Sequence, residues 1–174
     1  MAIWHFKFGL IPTEGLKRVF GDAGVAVVPE YAPHPEGPRY LEPEELAALP
    51  NYWDDPDKLR QIATAVSSFL PEMKSWSDKA RMFGSDEDER VAVWEDDVHC
   101  RINMRNVDFE VLDKLLSLAR RFDCKVVVHG TGAVVDADIT ALTPHVEASS
   151  AHKFCHDPHG FLTSLKPTLG DRNE

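Results

Sequence analysis

Large hydrophobic side chains occupy every second position at the start of the chain. A period of two places such side chains on one face of a β-strand, so we predict a strand over residues 3–11 that ends at Pro12. Thr13 then caps a predicted short helix, and a short strand over residues 26–28 completes a β-α-β opening. The apolar face of the first strand consists of Trp4, Phe6, Phe8 and Leu10.

The cleanest alternation lies over residues 98–105. Together with the apolar residues 91–94 and the acidic turn 95–97 it predicts a β-hairpin. The second strand has an apolar side formed by Val98, Cys100, Ile102 and Met104, and a polar side formed by His99, Arg101, Asn103 and Arg105. The polar side could bind an anion or an acidic peptide if that face of the sheet is uncovered. A solvated face that pairs with acidic neighbours is the alternative.

Hydrophobic residues at three- and four-residue spacing predict two amphipathic helices. The first follows a cap at Asp54 or Asp55 and stops at Pro71, and the second follows a cap at Asn106 or Asp108. The apolar stripes are Leu59, Ile62, Val66, Phe69 and Leu70 in the first helix and Phe109, Leu112, Leu115, Leu116, Ala119 and Phe122 in the second. We expect the second stripe to pack on the apolar side of the hairpin strand.

A β-branched run and a glycine turn predict a second hairpin over residues 125–135. Asp136 or Asp138 opens a helix, and a further helix over residues 143–156 ends at residues 158–160. This order of elements predicts an α+β fold, a mostly antiparallel mixed sheet with helices packed on one face.

The chain length of 174 residues suits one domain. We expect a single globular domain over residues 1–165 that contains a Pro-rich acidic loop at residues 29–57. Residues 166–174 have too little apolar content to dock firmly, so we predict a mobile tail there.

Acidic residues outnumber basic ones by 29 to 19, which gives a net charge of −10. This balance argues against a nucleic-acid partner, because phosphate binding needs excess cations. The acids concentrate in residues 30–57 and 86–97, where they could steer a basic protein partner. Solvated loops that aid solubility are the alternative. The candidate partner-binding residues are Glu42, Glu44, Glu45, Asp86, Glu87, Asp88 and Glu89.

Four residues near the end of the chain form a candidate metal site. His152, Cys155 and His156 share one helical face, and His159 lies just beyond. Imidazole and thiolate are zinc ligands, so the cluster suggests a zinc site in a small metal-dependent enzyme or metal-binding protein. The alternative is structural, with Phe154 as a core anchor and Cys155 as a small buried residue.

Other catalytic signatures are weak. The chain lacks the Gly-x-Ser-x-Gly nucleophile motif, and residues 130–132 fit a hairpin turn better than a phosphate loop. The acidic turn at residues 95–97 is expected to be exposed, without a pocket that would raise a carboxyl pKa. The three cysteines suit reduced thiols. Neither an export signal nor an apolar membrane-spanning run is seen, so we expect a cytoplasmic protein with no membrane partner.

Residues 91–162 resemble the C-terminal part of small uncharacterised bacterial proteins, some of which are similar to immunity proteins of polymorphic toxin systems. The resemblance rests on a strand, a helix that ends near Cys124, a hairpin and a closing helix before Asp157-Pro158 and Phe161-Leu162. It implies a bacterial, non-enzymatic inhibitor of a protein toxin and supplies no catalytic residue. We therefore expect a binding protein of immunity type, with the metal-dependent enzyme as the alternative function.

Overall fold

The computed structural model describes residues 3–34 and 42–164. Its centre is one antiparallel sheet. The strands are β1 (His5–Pro12), β2 (Glu72–Met73), β3 (Ala80–Gly84), β4 (Arg90–Trp94), β5 (Val98–Asn103), β6 (Cys124–Val128) and β7 (Val134–Val135). Their order across the sheet is β2-β3-β4-β5-β1-β6-β7. The α+β class and the antiparallel sheet are confirmed.

Short helices connect and cover the strands. They are α1 (Thr13–Phe20), α2 (Pro43–Ala47), α3 (Pro56–Val66), α4 (Phe109–Arg121), α5 (Ile139–Ala148), α6 (Ser150–His156) and α7 (Pro158–Ser164), with a 3-10 turn at Pro29–Tyr31. Asp55, Asp108 and Asp138 cap α3, α4 and α5 with their carboxylates, each of which accepts two backbone N–H groups. Such caps satisfy donors that have no partner within the helix.

The main core lies on one face of the sheet. The register pairs Phe6 with Ile102 and Phe8 with Cys100, so these side chains lie side by side across β1 and β5. The amphipathic stripes of α3 and α4 join them in one buried cluster. Seven of the helical residues that are almost fully buried in this cluster are Leu59, Ile62, Val66, Leu112, Leu115, Leu116 and Ala119. The second amphipathic stripe shares this cluster with the apolar side of β5, except at its first residue, but the strand that α4 contacts most is β6.

Phe109 is the exception. It is the first residue of α4 and 70% of it is exposed, so its assignment to the core was wrong. A side chain at the start of a helix has no preceding turn of that helix to pack beside.

Two prolines and Thr13 occupy other positions in the helices than the sequence pattern predicts. Helix α5 continues through Pro144 to Ala148. It loses one backbone hydrogen bond there, because proline has no N–H. Pro158 begins α7 instead of ending the preceding helix, as suits proline in a first helical turn. Thr13 does not cap α1, and its hydroxyl donates to Asp123 instead.

Two further elements differ from the prediction. Residues 26–28 form no strand and contribute only an isolated bridge between Val27 and Ala133. Strand β3 was not predicted at all. Gly84 at its end has a positive φ of 95°, and a Cβ there would lie 2.0 Å from the Glu89 carbonyl oxygen. Only glycine fits this close approach of the β3–β4 turn.

The predicted Pro-rich acidic loop at residues 29–57 holds the 3-10 turn, α2 and the start of α3. Residues 35–41 of this loop lie outside the described part of the chain. The tail predicted at residues 166–174 also lies outside it.

Leu116 is 1% exposed. We expect Leu116→Ala to lower the free energy of unfolding by about 2–5 kcal/mol, because it removes buried methyl groups and leaves a cavity. Phe109→Ala, at the exposed end of the same helix, should change it by less than about 0.5 kcal/mol. Urea denaturation of both variants measures the difference. Equal losses would contradict the described packing of α4.

Candidate functional site

The second face of the sheet carries polar and charged side chains, and we call it the polar face. His5, Lys7 and Gly9 of β1 lie opposite Asn103, Arg101 and His99 of β5 in the register. Loops cover this face in part. Tyr31 lies over Gly9 at one end, and the turn between β3 and β4 folds over the other end. The polar side chains are therefore half-buried or buried rather than fully solvated.

A hydrogen-bonded network joins the 3-10 turn to the start of β5. The Tyr31 hydroxyl donates to Asp97 Oδ2 at 2.8 Å, and His99 Nε2 lies 2.5 Å from the same oxygen. Burial favours the neutral carboxyl, but these two hydrogen bonds and the charge of His99 hold the pKa of Asp97 below its ordinary value. Burial and the nearby Asp97 raise the pKa of Tyr31. Asp97 therefore stays ionised and ties Tyr31 to the sheet.

His129 completes this cluster. Its ring centroid lies 4.8 Å from that of Tyr31 and 4.9 Å from that of His99. Burial, followed by the charge of His99, lowers the pKa of His129 to about 4. Its Nε2 atom is buried and has no hydrogen-bond partner among the described residues. His129 is thus a neutral imidazole near pH 7.

The two rings lie directly over Gly9. A Cβ at Gly9 would lie 3.4 Å from the Tyr31 ring and 3.6 Å from His129 Nε2, which are van der Waals contact distances. The backbone of β1 therefore forms the floor beneath both rings. The sequence pattern does not reveal this network, because it places Asp97 in an exposed turn and His129 at a strand end. Only the pairing of strands remote in sequence brings these side chains together.

Three cations form a row in the middle of the polar face. Lys7 lies opposite Arg101, and Arg101 lies opposite Arg90. Like charges in directly opposite positions destabilise a sheet. Asp86 offsets part of this repulsion, since it accepts from Arg90 at 2.6 Å and lies 3.9 Å from Arg101. Burial, Arg101 and Arg90 lower the pKa of Lys7.

The acidic run at residues 86–89 was expected to be solvated, and this is wrong in part. Glu89 is only 7% exposed, and its carboxylate accepts from the backbone N–H of Asp108 at 3.3 Å. Asp86 is engaged by arginines, as described above. Glu87 and Asp88 keep exposed side chains. The turn folds inward because the polar face offers it donors, among them His5 Nε2, which donates to the Glu87 carbonyl oxygen.

The other acidic candidates lie at the start of α2. Glu42 and Glu44 are exposed, and Glu45 is half-buried. The Glu45 carboxylate accepts from the backbone N–H of Glu42 at 3.0 Å. This contact is one half of a capping box, in which a residue in the first turn satisfies the N–H at the cap. Glu45 therefore stabilises the short helix.

The histidine and cysteine candidates lie on α6 and α7. The rings of His152 and His156 stack with centroids 5.8 Å apart, and His159 is exposed on α7. Burial raises the pKa of the Cys155 thiol. Within residues 3–34 and 42–164, no group of three or more His, Cys, Asp or Glu side chains is placed to hold a metal ion. The zinc site remains a prediction that metal analysis of the purified protein would test.

An exposed aromatic pair lies beyond β4 on the polar face. Trp76 is 70% exposed, and its ring centroid lies 5.1 Å from that of Trp94 in an edge-to-face contact. Trp94 packs on a small second core of Ala80, Met82, Ala92 and Met73. Ala92 is directly opposite His99, so this cluster continues the polar face. We call Trp76 and Trp94 the aromatic patch. Sequence reasoning missed it, because Trp76 belongs to a connecting segment without periodicity.

No protein-family model, curated protein or solved structure matches this chain. Of the helices in the described ranges, none has the length and apolar character needed to cross a membrane.

The pKa of His129 predicts a pH dependence of stability. The ordinary histidine pKa is about 6.5, so the unfolded chain takes up a proton below that pH while the folded chain does so only near pH 4. The contribution of neutral His129 to the free energy of unfolding is therefore fully present above about pH 6.5. It falls by up to about 3 kcal/mol as the pH decreases towards 4. The charged and titratable groups around His129 are His99, Lys7, Asp97 and Tyr31.

Urea unfolding at about pH 7.5 and about pH 5 measures this loss. We expect His129→Phe to flatten the profile, because phenylalanine keeps a ring but cannot bind a proton. His156→Phe, at an exposed histidine, should leave the slope unchanged. The lowered pKa of His5 gives both variants a residual slope of the same sign. An equally steep profile in His129→Phe would contradict the assignment.

Proposed function

We propose that this protein is a non-enzymatic binding protein that holds a protein partner on its aromatic patch, in the manner of an immunity-type inhibitor of a basic toxin. The observation that carries the proposal is the 70% exposure of Trp76 beside Trp94. An exposed tryptophan leaves a large apolar area in water, and free energy is gained when a partner covers it. Tryptophan is also enriched among residues that dominate protein interfaces.

An acidic turn beside the patch supports a basic partner. Glu95 and Asp96 follow Trp94 directly and are exposed in the turn between β4 and β5. Lys79 and Arg81 lie on another side of Trp94, so negative charge does not surround the patch. Charges beside an apolar contact steer a partner of opposite charge and fix its orientation. The net charge of −10 acts in the same direction at longer range.

The other acidic residues contribute unequally to the negative field that would attract a basic partner. Glu87 and Asp88 are exposed and contribute to the field, as do Glu42 and Glu44. Glu89 is buried, and Asp86 is already neutralised by Arg90. We therefore assign the contact to the patch and its acidic turn rather than to the whole run at residues 86–89.

The network of Asp97 and His99 supports a structural role better than a catalytic one. The Asp97 carboxylate already accepts from both Tyr31 and His99, and Val98 N–H donates to its second oxygen. These bonds hold the 3-10 turn on the sheet. A hydrogen-bonded network beside the patch suits a binding surface, because less entropy is lost when the partner docks on an ordered surface.

The proposal predicts that Trp76→Ala weakens partner binding. The protein is used to capture polypeptides from cells that produce it, and a captured polypeptide is then purified and its affinity measured. We expect at least about a tenfold rise in Kd for Trp76→Ala, which is the loss of a central anchor residue. Phe109→Ala is the matched control, since Phe109 is also 70% exposed but belongs to α4.

Charge is tested separately in the same assay. Glu95→Gln with Asp96→Asn should slow association with a basic partner, while dissociation changes little. Unchanged affinity of Trp76→Ala, or a partner bound equally well at all salt concentrations, would contradict the proposal.

A further inference from the structure

A second surface lies on the other side of the polar face, away from the aromatic patch. It is a groove of about 530 Å³ between the first half of β1 and the corner where α5 meets α6. Its walls are formed by three segments that are distant in sequence. The volume is within the range of small-molecule sites in proteins.

Several hydrogen-bond donors lie in the polar lining of this groove. Lys7, His129, Thr131, His145 and Ser150 line it, whereas the Nε2 atom of His5, which also lines it, already donates to the Glu87 carbonyl oxygen. An ammonium group has three donors and no acceptor. The Thr131 hydroxyl oxygen accepts from Ala133 N–H, which leaves its own hydrogen free to donate. The lining therefore suits a ligand rich in acceptor oxygens.

Lys7 is the centre of this lining. Neither a hydrogen bond nor an ion pair of its ammonium group is found within the described ranges, whereas Asp86 engages Arg90 and Arg101. Arg101 does not line the groove, but it lies directly opposite Lys7, and its Nε is buried without an acceptor in the same ranges. Among the described residues, the carboxylate beside this row of Lys7, Arg101 and Arg90 is that of Asp86, so positive charge is left over next to the groove.

We propose that this groove binds a small molecule through a phosphate group, with Lys7 as the principal contact. A phosphate monoester carries nearly two negative charges and three acceptor oxygens at neutral pH. Such a group matches the charge of Lys7, which is unpaired in the described part of the chain, the adjacent positive charge of Arg101 and the surrounding hydroxyl groups. A single carboxylate would offset only one of the two cations. This site is independent of the aromatic patch and goes beyond the proposed partner binding.

The position of Lys7 supports a ligand-binding role over a structural one. Burial and two neighbouring arginines disfavour its charged form, so Lys7 weakens the unliganded fold. Residues retained at a cost to stability are characteristic of binding sites. A bound anion would remove this cost.

The test uses the full-length protein and inorganic phosphate, followed by backbone amide NMR at constant ionic strength. Malonate, a dicarboxylate, is titrated in parallel. We expect saturable shifts at Thr131 and Ser150 with phosphate and weaker ones with malonate. Lys7→Met, which keeps the aliphatic stem, should weaken phosphate binding at least about tenfold. Lys114→Met is the control, because Lys114 is an exposed lysine on α4 paired with Glu110.

A second measurement separates the role of Lys7 from a general loss of structure. Without phosphate, Lys7→Met should unfold at a higher temperature than the unmodified protein, and Lys114→Met should not. The double variant Thr131→Val with Ser150→Ala keeps Lys7 and should also bind phosphate more weakly. Trp76→Ala should bind phosphate normally, so failure of the partner proposal is distinguishable from failure of this one.

Three results would overturn the inference. One is the absence of saturable shifts with phosphate up to about 10 mM, a concentration well above a Kd typical of weak specific sites. Another is equal phosphate affinity in Lys7→Met and the unmodified protein. The last is tighter binding of malonate than of phosphate.

Discussion

Strand β1 and its pairing with β5 and β6 are the constraint on which both faces of this protein depend. The register sets Phe6 and Phe8 beside Ile102 and Cys100 under the helices, and the same register sets Lys7 beside Arg101 on the other face. A slip of one residue would exchange the two sets and bury cations under α4. The apolar packing of one face therefore fixes where the charges of the other face lie.

Repulsion among the neighbouring cations of the polar face lowers the stability of the fold, and nearby carboxylates offset only part of this repulsion. Asp86 reaches back from the β3–β4 turn to Arg90 and Arg101, and Glu89 is drawn inward to the start of α4. Lys7 has no comparable counter-charge in the described ranges. Arg90 and Arg101 therefore hold the turn in place, whereas Lys7 is the cation that the proposed ligand would contact.

The polar face is divided into three zones by what lies above it. The Tyr31, Asp97 and His99 network fastens the 3-10 turn over Gly9. The aromatic patch is open to solvent at Trp76, and the groove beside Lys7 lies at the opposite edge. The network thus separates two accessible zones, which are the surfaces proposed above for a partner and for a phosphate ligand.

Local pattern was sufficient for most of the elements. Alternation over residues 3–11 and 98–105 and helical spacing in α3 and α4 predicted the central strands and main helices, because burial of one face imposes that periodicity. Short elements such as β3 were missed, since five residues that contribute to two separate cores show no alternation.

The chemistry of the site was decided by tertiary structure. Sequence reasoning identified the polar side of the hairpin strand but not Lys7, Tyr31, Asp97 or His129 as its neighbours. It also predicted an exposed Glu89 and a buried Phe109, whereas Glu89 is buried and Phe109 is exposed. Composition and spacing report which side chains are available along one segment. Burial, pKa and hydrogen bonding depend on which distant segments the sheet register brings within a few ångströms, and that information is not local in the sequence.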